Sequence, residues 1–326
     1  MTRALVIGGS GFVGRAIVRR LQEQGCQVTV LNRGSRPIAG TRQLIADRND
    51  PVAVGETVKN QAFEVVIDTN CYRPDQALIL AEALRGRAPR LVMISSAAVY
   101  ANKARRPPSE TEPVGGASVW GDYGRDKSHA EDVYADADHF DRVVFVRPPY
   151  IFGPGNNLDR ETWFWSRQCA GTPILLPGEG TTQAQFIHED DLAEAVEGLA
   201  FGPGHGIEAF NVADPQVLTL SELATMLAEA AGVPDRQIRA GSAASGLPAR
   251  SWFPFRDYPC LADPGRLMST GWRPAASLAI RFAETHKSLS RSDLIPPPVI
   301  SETEQQIVCK LRARIPADFA SSIPET

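Results

Sequence analysis

The chain contains no hydrophobic segment that approaches the roughly 20 apolar residues of a membrane-spanning helix. Its first residues also lack the basic region, apolar stretch and small-residue cleavage site of a secretory signal. We therefore expect a cytoplasmic protein without a membrane partner.

Cysteine is scarce, and the five cysteines are scattered without a CxxC pair or the Cys/His spacing of a metal site. Such a distribution argues against a disulfide framework and against structural zinc. The sequence predicts free thiols and no bound metal.

Charge of one sign is also lacking, since the net charge is −4 and charged residues make up 22% of the chain. No basic segment interleaved with aromatic residues is present, so nucleic acid is not an expected partner. With 326 residues, of which 43% are hydrophobic, the chain can bury a large core.

Short apolar segments alternate with helical patterns through the first half of the chain. This alternation predicts an α/β fold of the Rossmann type, with a doubly wound parallel sheet. The predicted strands are 4–7, 28–31, 43–46, 64–68, 91–95 and 143–147, and the predicted helices are 14–24, 51–59, 77–85 and 123–136.

The pattern changes after Pro148, where Pro- and Gly-rich connections separate shorter elements. We assign residues 1–150 to a dinucleotide-binding domain and 151–290 to a smaller α+β substrate-binding lobe, interleaved with the first domain. Within the lobe, 241–260 has no clear period and is interpreted as a substrate-facing or partly mobile loop. The candidate substrate contacts of the lobe are Asn156, Trp163, Gln185, Arg250, Trp252 and Arg256. For Arg250, Trp252 and Arg256, a place on a loop without substrate contact is favoured.

Residues 291–326 form a proline-rich connector and a C-terminal helix at about 301–314. Ser301 and Glu304 have the spacing of a capping box at its start. The helix has three possible partners at this stage: its own chain, another subunit or an unrelated protein.

The segment Gly8-Gly9-Ser10-Gly11-Phe12-Val13-Gly14 follows an apolar strand and begins an amphipathic helix. In a dinucleotide-binding turn, the first glycine makes the turn, the second admits the pyrophosphate and the third allows close packing. A glycine-rich turn without a ligand is the alternative. The predicted cofactor-binding residues here are Gly8, Ser10, Gly11, Phe12, Val13 and Gly14.

The second predicted strand ends in Asn32-Arg33, where NAD-binding proteins carry an acidic residue that accepts from the ribose 2′-hydroxyl. A neutral Asn followed by Arg suits a 2′-phosphate, so NADP(H) is favoured over NAD(H). Arg33 as a solvated turn residue is the alternative. Asp47 and Arg48 follow the third strand and are predicted to border the adenine.

Tyr123 and Lys127 are four residues apart and therefore share one face of a helix. A nearby ammonium stabilises phenolate, which makes the tyrosine a better proton-transfer group. Ser96, at the end of a buried strand, can polarise a substrate carbonyl. The three residues are the predicted catalytic set. Tyr123 and Lys127 are also predicted cofactor-binding residues, with Lys127 reaching the nicotinamide ribose.

The chain resembles the short-chain dehydrogenase/reductase superfamily over residues 1 to about 285, in its extended or atypical branch of epimerases, dehydratases and reductases. The glycine motif, Ser96 and the Tyr123/Lys127 pair match that family, and further matches are Arg147-Pro148-x-x-Ile151-x-Gly153-Pro154, Phe186-Ile187-His188-x-Asp190-Asp191 and Phe210-Asn211-Val212-Ala213. The resemblance adds Pro148 to the cofactor-binding residues and implies a homodimer. It also implies that Phe210-Asn211-Val212-Ala213 is a late strand of the substrate lobe.

Two departures bear on function. Dehydratases of the family have a motif similar to Thr-Asp-Glu at the position where this chain has Ser96-Ala97-Ala98, so dehydration is disfavoured. Asn32-Arg33-Gly34 is similar to the corresponding segment of an atypical subgroup that also contains chaperone-like and RNA-associated members.

His188, Asp190 and Asp191 are interpreted as structural, with the carboxylates in the first turn of a helix.

The sequence thus predicts an NADP(H)-dependent oxidoreductase that interconverts a ketone and a secondary alcohol on a small polar substrate. Tyr123 would transfer the proton, Lys127 would lower the pKa of that phenol and Ser96 would hold the carbonyl oxygen. A nucleotide-sugar epimerase and a non-catalytic dinucleotide-sensing protein are the alternatives.

Overall fold

The computed structural model describes residues 2–101 and 106–312. The strands are β1 (Arg3–Ile7), β2 (Gln27–Asn32), β3 (Arg42–Ile45), β4 (Val65–Asp68), β5 (Arg90–Ile94), β6 (Arg142–Arg147), β7 (Tyr150–Phe152), β8 (Ile174–Leu176), β9 (Gln183–Ala184), β10 (Phe186–His188), β11 (Gly206–Asn211), β12 (Leu218–Thr219) and β13 (Gln237–Arg239). The helices are α1 (Phe12–Glu23), α2 (Pro51–Val58), α3 (Pro74–Leu84), α4 (Asp122–Ala135), α5 (Glu161–Cys169), α6 (Glu189–Phe201), α7 (Leu220–Ala231), α8 (Gly265–Ser269), α9 (Leu278–Arg291) and α10 (Glu302–Arg312).

Seven parallel strands form the central sheet, in the order β11-β6-β5-β4-β1-β2-β3. Successive residues of β1 face opposite sides: Ala4 and Val6 join one buried cluster, and Leu5 and Ile7 join another. Helices α1 and α6 supply the first cluster, and α2, α3 and α4 supply the second. Burial on both faces explains the nearly continuous apolar strands and confirms the predicted doubly wound fold.

The edge strand β11 differs from the sequence-based expectation. It pairs with β6 from Gly206 to Asn211, so it completes the central sheet. The interpretation of Phe210-Asn211 as a late strand of the substrate lobe is therefore wrong. The segment lies late in the chain, but its six residues pair with the buried strand β6, and this pairing determines its place in the fold.

Two compact units divide the chain. The first contains Met1–Ile151, Phe186–Pro215 and Cys260–Ala275, and the second contains Phe152–Gln185, Gln216–Pro259 and Ala276–Thr326. Helix α7 of the second unit packs against α5 and α9, beside the two-stranded pairs β8-β13 and β9-β12.

The segment 241–260, predicted to be a substrate-facing or partly mobile loop, contains buried aromatic residues. Trp252, Phe253 and Phe255 are each no more than 4% exposed. Phe253 makes edge contacts with Trp163 and Phe164, at centroid distances of 5.3 and 5.7 Å. The aromatic side chains of this segment therefore form part of the core of the second unit.

Helix α10 packs on its own chain, within the second unit. The predicted capping box is present: the Ser301 N–H donates to Glu304, and the Glu304 N–H donates to Ser301 Oγ. Glu304 also forms a buried ion pair with Arg167, at 3.0 Å, and Ile307 is fully buried. Residues 313 and 314 of the predicted helix lie outside the described residues.

None of the helices within 2–101 and 106–312 combines the length and the apolar character needed to cross a membrane.

Candidate active site

The backbone of the turn between β1 and α1 leaves no room for a side chain at Gly14, and Gly8 has a backbone conformation that favours glycine. Gly8 has a φ of +75°, and a Cβ at Gly14 would lie 2.3 Å from the Gly8 carbonyl oxygen. Gly11 is the N-cap of α1 and has no side chain with which to cap the first N–H groups of the helix. Free N–H groups at a helix N-terminus attract anions, so this turn fits the pyrophosphate of a dinucleotide.

The end of β2 lies beside this turn. Asn32 donates from Nδ2 to Ser10 Oγ at 3.3 Å and accepts from the Gly34 N–H at 2.8 Å. Arg33 is exposed, and its charge acts on the exposed Asp47 carboxylate. The pKa of Asp47 is lowered mainly by the Asn49 N–H, with smaller contributions from Arg33 and Arg48.

Arg48 points into the protein, where it forms a buried ion pair with Asp68 at the end of β4. Its Nη1 and Nη2 donate to the two Asp68 oxygens at 2.7 and 2.9 Å, and the Asp68 side chain is fully buried. Tyr134 donates to the same carboxylate at 2.6 Å. Burial acts to raise the pKa of Asp68, but Arg48 holds it below its ordinary value. The predicted contact of Arg48 with adenine stays a prediction.

The tyrosine and lysine of the predicted catalytic set occupy the first turns of α4. Tyr123 is 42% exposed, whereas Lys127 is 2% exposed. Lys127 Nζ lies 5.0 Å from the centre of the Tyr72 ring, and that ring lies 6.5 Å from the Tyr123 ring. Burial lowers the pKa of Lys127. The structure thus places a buried lysine and an exposed tyrosine on the same helix, and the catalytic role predicted for them stays a prediction.

The third member, Ser96, begins the short 3₁₀ turn Ala97–Val99, which follows β5. Its Oγ accepts from the Ala98 N–H at 3.1 Å, and its hydroxyl hydrogen can still donate. A Cβ at Gly124 would lie 2.4 Å from the Ala98 carbonyl, so glycine lets α4 pack directly on this turn. The Pro148 carbonyl accepts from the Ala97 N–H at 2.8 Å, which places Pro148 at the same turn.

A buried ion pair that sequence reasoning missed lies beneath this turn. Glu131 accepts from Arg147 at 2.6 and 3.0 Å and from the hydroxyl of Ser95, the neighbour of Ser96. Glu131 follows Lys127 by four residues, so extending the Tyr123/Lys127 helix face by one turn would have found it.

The remaining candidates have structural partners. His188 caps α6 by accepting from the Asp190 N–H at 3.2 Å, and Asp191 accepts from the Ala275 N–H at 3.1 Å. In the second unit, Arg250 donates to the Pro254 carbonyl, and Asn156 donates to Glu161. Across the described parts of the chain, no three His, Cys, Asp or Glu residues cluster as metal ligands would.

Residues 4–213 match the NAD dependent epimerase/dehydratase family. The chain belongs to this family. It is an NAD(P)-dependent enzyme of the short-chain dehydrogenase/reductase type, which confirms the resemblance carried by its glycine turn and its tyrosine–lysine pair.

Two curated relatives and one solved structure illustrate the range of this family. The chloroplast stem-loop binding protein of 41 kDa b from Arabidopsis thaliana is 29% identical over 302 residues, which are 87% of this chain and 78% of that protein. The 2′-dehydrokanamycin reductase of Streptomyces kanamyceticus is 31% identical over 209 residues, 60% of this chain and 57% of that protein. A UDP-glucose 4-epimerase from Thermotoga maritima, solved with UDP-glucose, has the same fold, with a TM-score of 0.73 and 18% identity over 89% of this chain and 99% of the epimerase.

Proposed function

We propose that this protein is an NADP(H)-dependent oxidoreductase that interconverts a ketone and a secondary alcohol on a small polar, sugar-like or natural-product substrate. The observation that carries the proposal is the packing of α4 on the Ser96 turn. Through this packing, one helix presents an exposed phenol at Tyr123 and a buried ammonium at Lys127 beside that turn. The same helix therefore supplies a phenol that can transfer a proton and a charge that can stabilise its phenolate form.

The protein residues would divide the proton chemistry among themselves. Ser96 would donate a hydrogen bond to the substrate oxygen, and Tyr123 would give a proton to that oxygen or take one from it. Lys127 would stabilise the phenolate form of Tyr123 by its charge. The nicotinamide, when bound, supplies or accepts the hydride.

The choice of NADP(H) rests on Ser10 in the glycine turn and on Asn32 and Arg33 at the end of β2. Ser10 and Asn32 are hydrogen-bonded to each other, and Arg33 is exposed. An acidic residue, which would repel a 2′-phosphate, is absent from the tip of β2 itself. Hydroxyl, amide and guanidinium donors together suit that phosphate.

We favour net reduction over epimerisation because a relative that is 31% identical over 209 residues is a 2′-dehydrokanamycin reductase. The UDP-glucose 4-epimerase has 18% sequence identity to this chain, so its similarity supports the fold alone. An epimerase would regenerate its cofactor in every cycle, so stoichiometric consumption of NADPH separates a reductase from an epimerase.

The prediction of a cytoplasmic homodimer belongs to the same proposal, and light scattering would test whether the protein forms a dimer.

The decisive experiment is a fluorescence titration of the cofactor-stripped protein with NADPH and NADH, followed by a ketone screen with NADPH. We expect tighter binding of NADPH, and the Arg33→Ala change should weaken NADPH much more than NADH. Tyr123→Phe should abolish turnover and leave cofactor affinity nearly intact. Equal losses for both cofactors in Arg33→Ala would refute the phosphate role, and full turnover by Tyr123→Phe would refute the catalytic assignment.

A further inference from the structure

Helix α10 is connected to the segment 241–260 of the second unit at two places. The helix packs against the 3₁₀ turn Gly241–Ala244, at the start of the segment. It is also connected to the buried Phe253 through Arg167 and Trp163. All of these residues belong to the second unit. Neither connection has a role in the proposed reaction.

Arg167 joins α10 to the aromatic side chains of the segment. Its side chain is 3% exposed and pairs with Glu304 of α10 at 3.0 Å. Its Nη2 also donates to the Val299 carbonyl at 2.8 Å. Its Nη1 donates to the Trp163 carbonyl at 3.1 Å, and the guanidinium lies 3.7 Å from the centre of the Trp163 ring. That ring contacts the Phe253 ring edge to face, at a centroid distance of 5.3 Å.

Helix α10 has few other buried attachments. Within residues 302–311, Glu304 and Ile307 are buried, and the others are exposed or half-buried. A buried ion pair adds little net stability, because the loss of hydration offsets much of the attraction between its charges. Burial accordingly lowers the pKa of Arg167, although the Glu304 carboxylate acts to raise it. The attachment of α10 therefore depends mainly on Ile307 and on a marginal ion pair.

We propose that α10 is a strap, which holds the segment 241–255 in its packed conformation and detaches without unfolding of the rest of the second unit. When α10 detaches, Arg167 loses both Glu304 and the Val299 carbonyl. A guanidinium does not stay buried without a compensating charge, so its side chain turns to solvent and leaves the Trp163 ring. Phe253 then loses part of its packing. Neither cofactor nor substrate takes part in this opening, so it is independent of the proposed function.

Hydrogen exchange of the native full-length chain, measured residue by residue with NMR, tests the strap. The Trp252 and Phe253 N–H groups donate to the Ala249 carbonyl at 3.0 and 2.8 Å, so their exchange reports on the segment. The amides of α10 report on the helix, and those of α7 report on the rest of the second unit. In wild type we expect α10 to exchange faster than α7, because a detachable element opens at a lower free energy than the unit that carries it.

Glu304→Gln removes the charge that compensates Arg167. We expect the exchange of α10 and of the two reporter amides to accelerate by about 100-fold, the effect of leaving one charge of a buried pair uncompensated, while α7 is unchanged. Glu302→Gln is the matched control, because Glu302 lies in the same first turn of α10 but is exposed. Its effect should be at most about fivefold, as for a single charge near a helix N-terminus.

A second variant, Ile307→Ala, weakens the strap without removing either member of the ion pair. The loss of a buried isoleucine side chain should accelerate the exchange of α10 by at least about 30-fold. The Trp252 and Phe253 amides should accelerate with the helix. This variant also carries the test if Glu304→Gln does not fold.

Four outcomes would overturn the strap. Acceleration confined to α10 in both variants would show that the segment keeps its packing without the helix. Acceleration of the reporter amides by Glu304→Gln but not by Ile307→Ala would assign the effect to Arg167 alone. Equal acceleration of α7 would mean that the second unit opens as a whole, and exchange of α10 as slow as that of α7 in wild type would mean that the helix does not detach.

Discussion

The ammonium of Lys127 donates a hydrogen bond of 2.7 Å to the main-chain oxygen of Ile94, the last residue of β5. This bond joins the helix that carries Tyr123 to the strand that leads directly into Ser96. Lys127 thus links the two segments that carry the predicted catalytic residues. Its side chain has little freedom, because it is buried as well as hydrogen-bonded.

The first prediction concerns the ionisation of Lys127. Because burial lowers the pKa of this lysine, we expect it to titrate below the ordinary value of about 10.4. The folded state disfavours the ammonium form of Lys127. The contribution of Lys127 to stability therefore increases as pH rises from its pKa in the folded state to its higher pKa in the unfolded state. Carbon-13 NMR of the lysine ε-carbons measures the titration, and Lys127→Arg identifies the signal. Titration at or above the ordinary value would contradict the prediction.

The second prediction concerns the buried pair beneath the serine turn. Glu131→Gln leaves the Arg147 guanidinium, whose side chain is 7% exposed, without a compensating charge. We expect a loss of about 3 kcal/mol in the free energy of unfolding. Asp138→Asn is the matched control, because Asp138 pairs with Arg85 at the surface, where the side chains are 81% and 51% exposed. Its cost should be much smaller, because exposed ion pairs contribute little to stability. Urea unfolding measures both, and equal losses would show that burial does not distinguish the two pairs.

Much of the first unit could be predicted from the sequence because its signals are local. Parallel strands buried on both faces must be apolar throughout, and the turn at Gly8 and Gly14 tolerates no side chains, so both leave a clear pattern. The predicted strands consequently fall within one or two residues of the observed ones.

The remaining features depend on partners that are distant in the chain. Arg48 could not be oriented from sequence, because its direction is set by Asp68, which is 20 residues away. Phe253 and Phe255 lie in a segment without periodicity, and their burial depends on Trp163 and Phe164, about 90 residues earlier.

The third prediction compares two helical glycines. A Cβ at Gly14 would lie 2.3 Å from the Gly8 carbonyl, whereas a Cβ at Gly55 in α2 would meet no atom within 4 Å. Gly14→Ala should therefore distort the turn, lower the melting temperature and abolish NADPH binding. Gly55→Ala should raise stability by about 0.5 to 1 kcal/mol, since alanine favours the helix, and leave binding unchanged. Calorimetric titration and thermal unfolding give both values, and NADPH binding by Gly14→Ala at wild-type affinity would refute the close approach.

The last prediction concerns Glu161, a buried carboxyl at the start of α5 in the second unit. Burial raises its pKa to about 7, although Asn156 Nδ2 donates to both oxygens at 2.9 and 3.3 Å. Between pH 4.5 and 7 the folded state keeps a proton that the unfolded state has lost, so stability falls as pH rises through this window. The full penalty above pH 7 corresponds to about 3 kcal/mol.

Glu161→Gln removes the ionisation and keeps the shape, and the glutamine side-chain oxygen can still accept from Asn156 Nδ2. The variant should match wild type below pH 4.5 and exceed it by up to about 3 kcal/mol at pH 8. Glu56→Gln, at a side chain that is 64% exposed, controls for the substitution itself. Urea unfolding at pH 4, 6 and 8 measures the difference. A gain for Glu161→Gln that is equal at all three values would mean that packing, and not the charge of a buried carboxylate, limits the stability of the second unit.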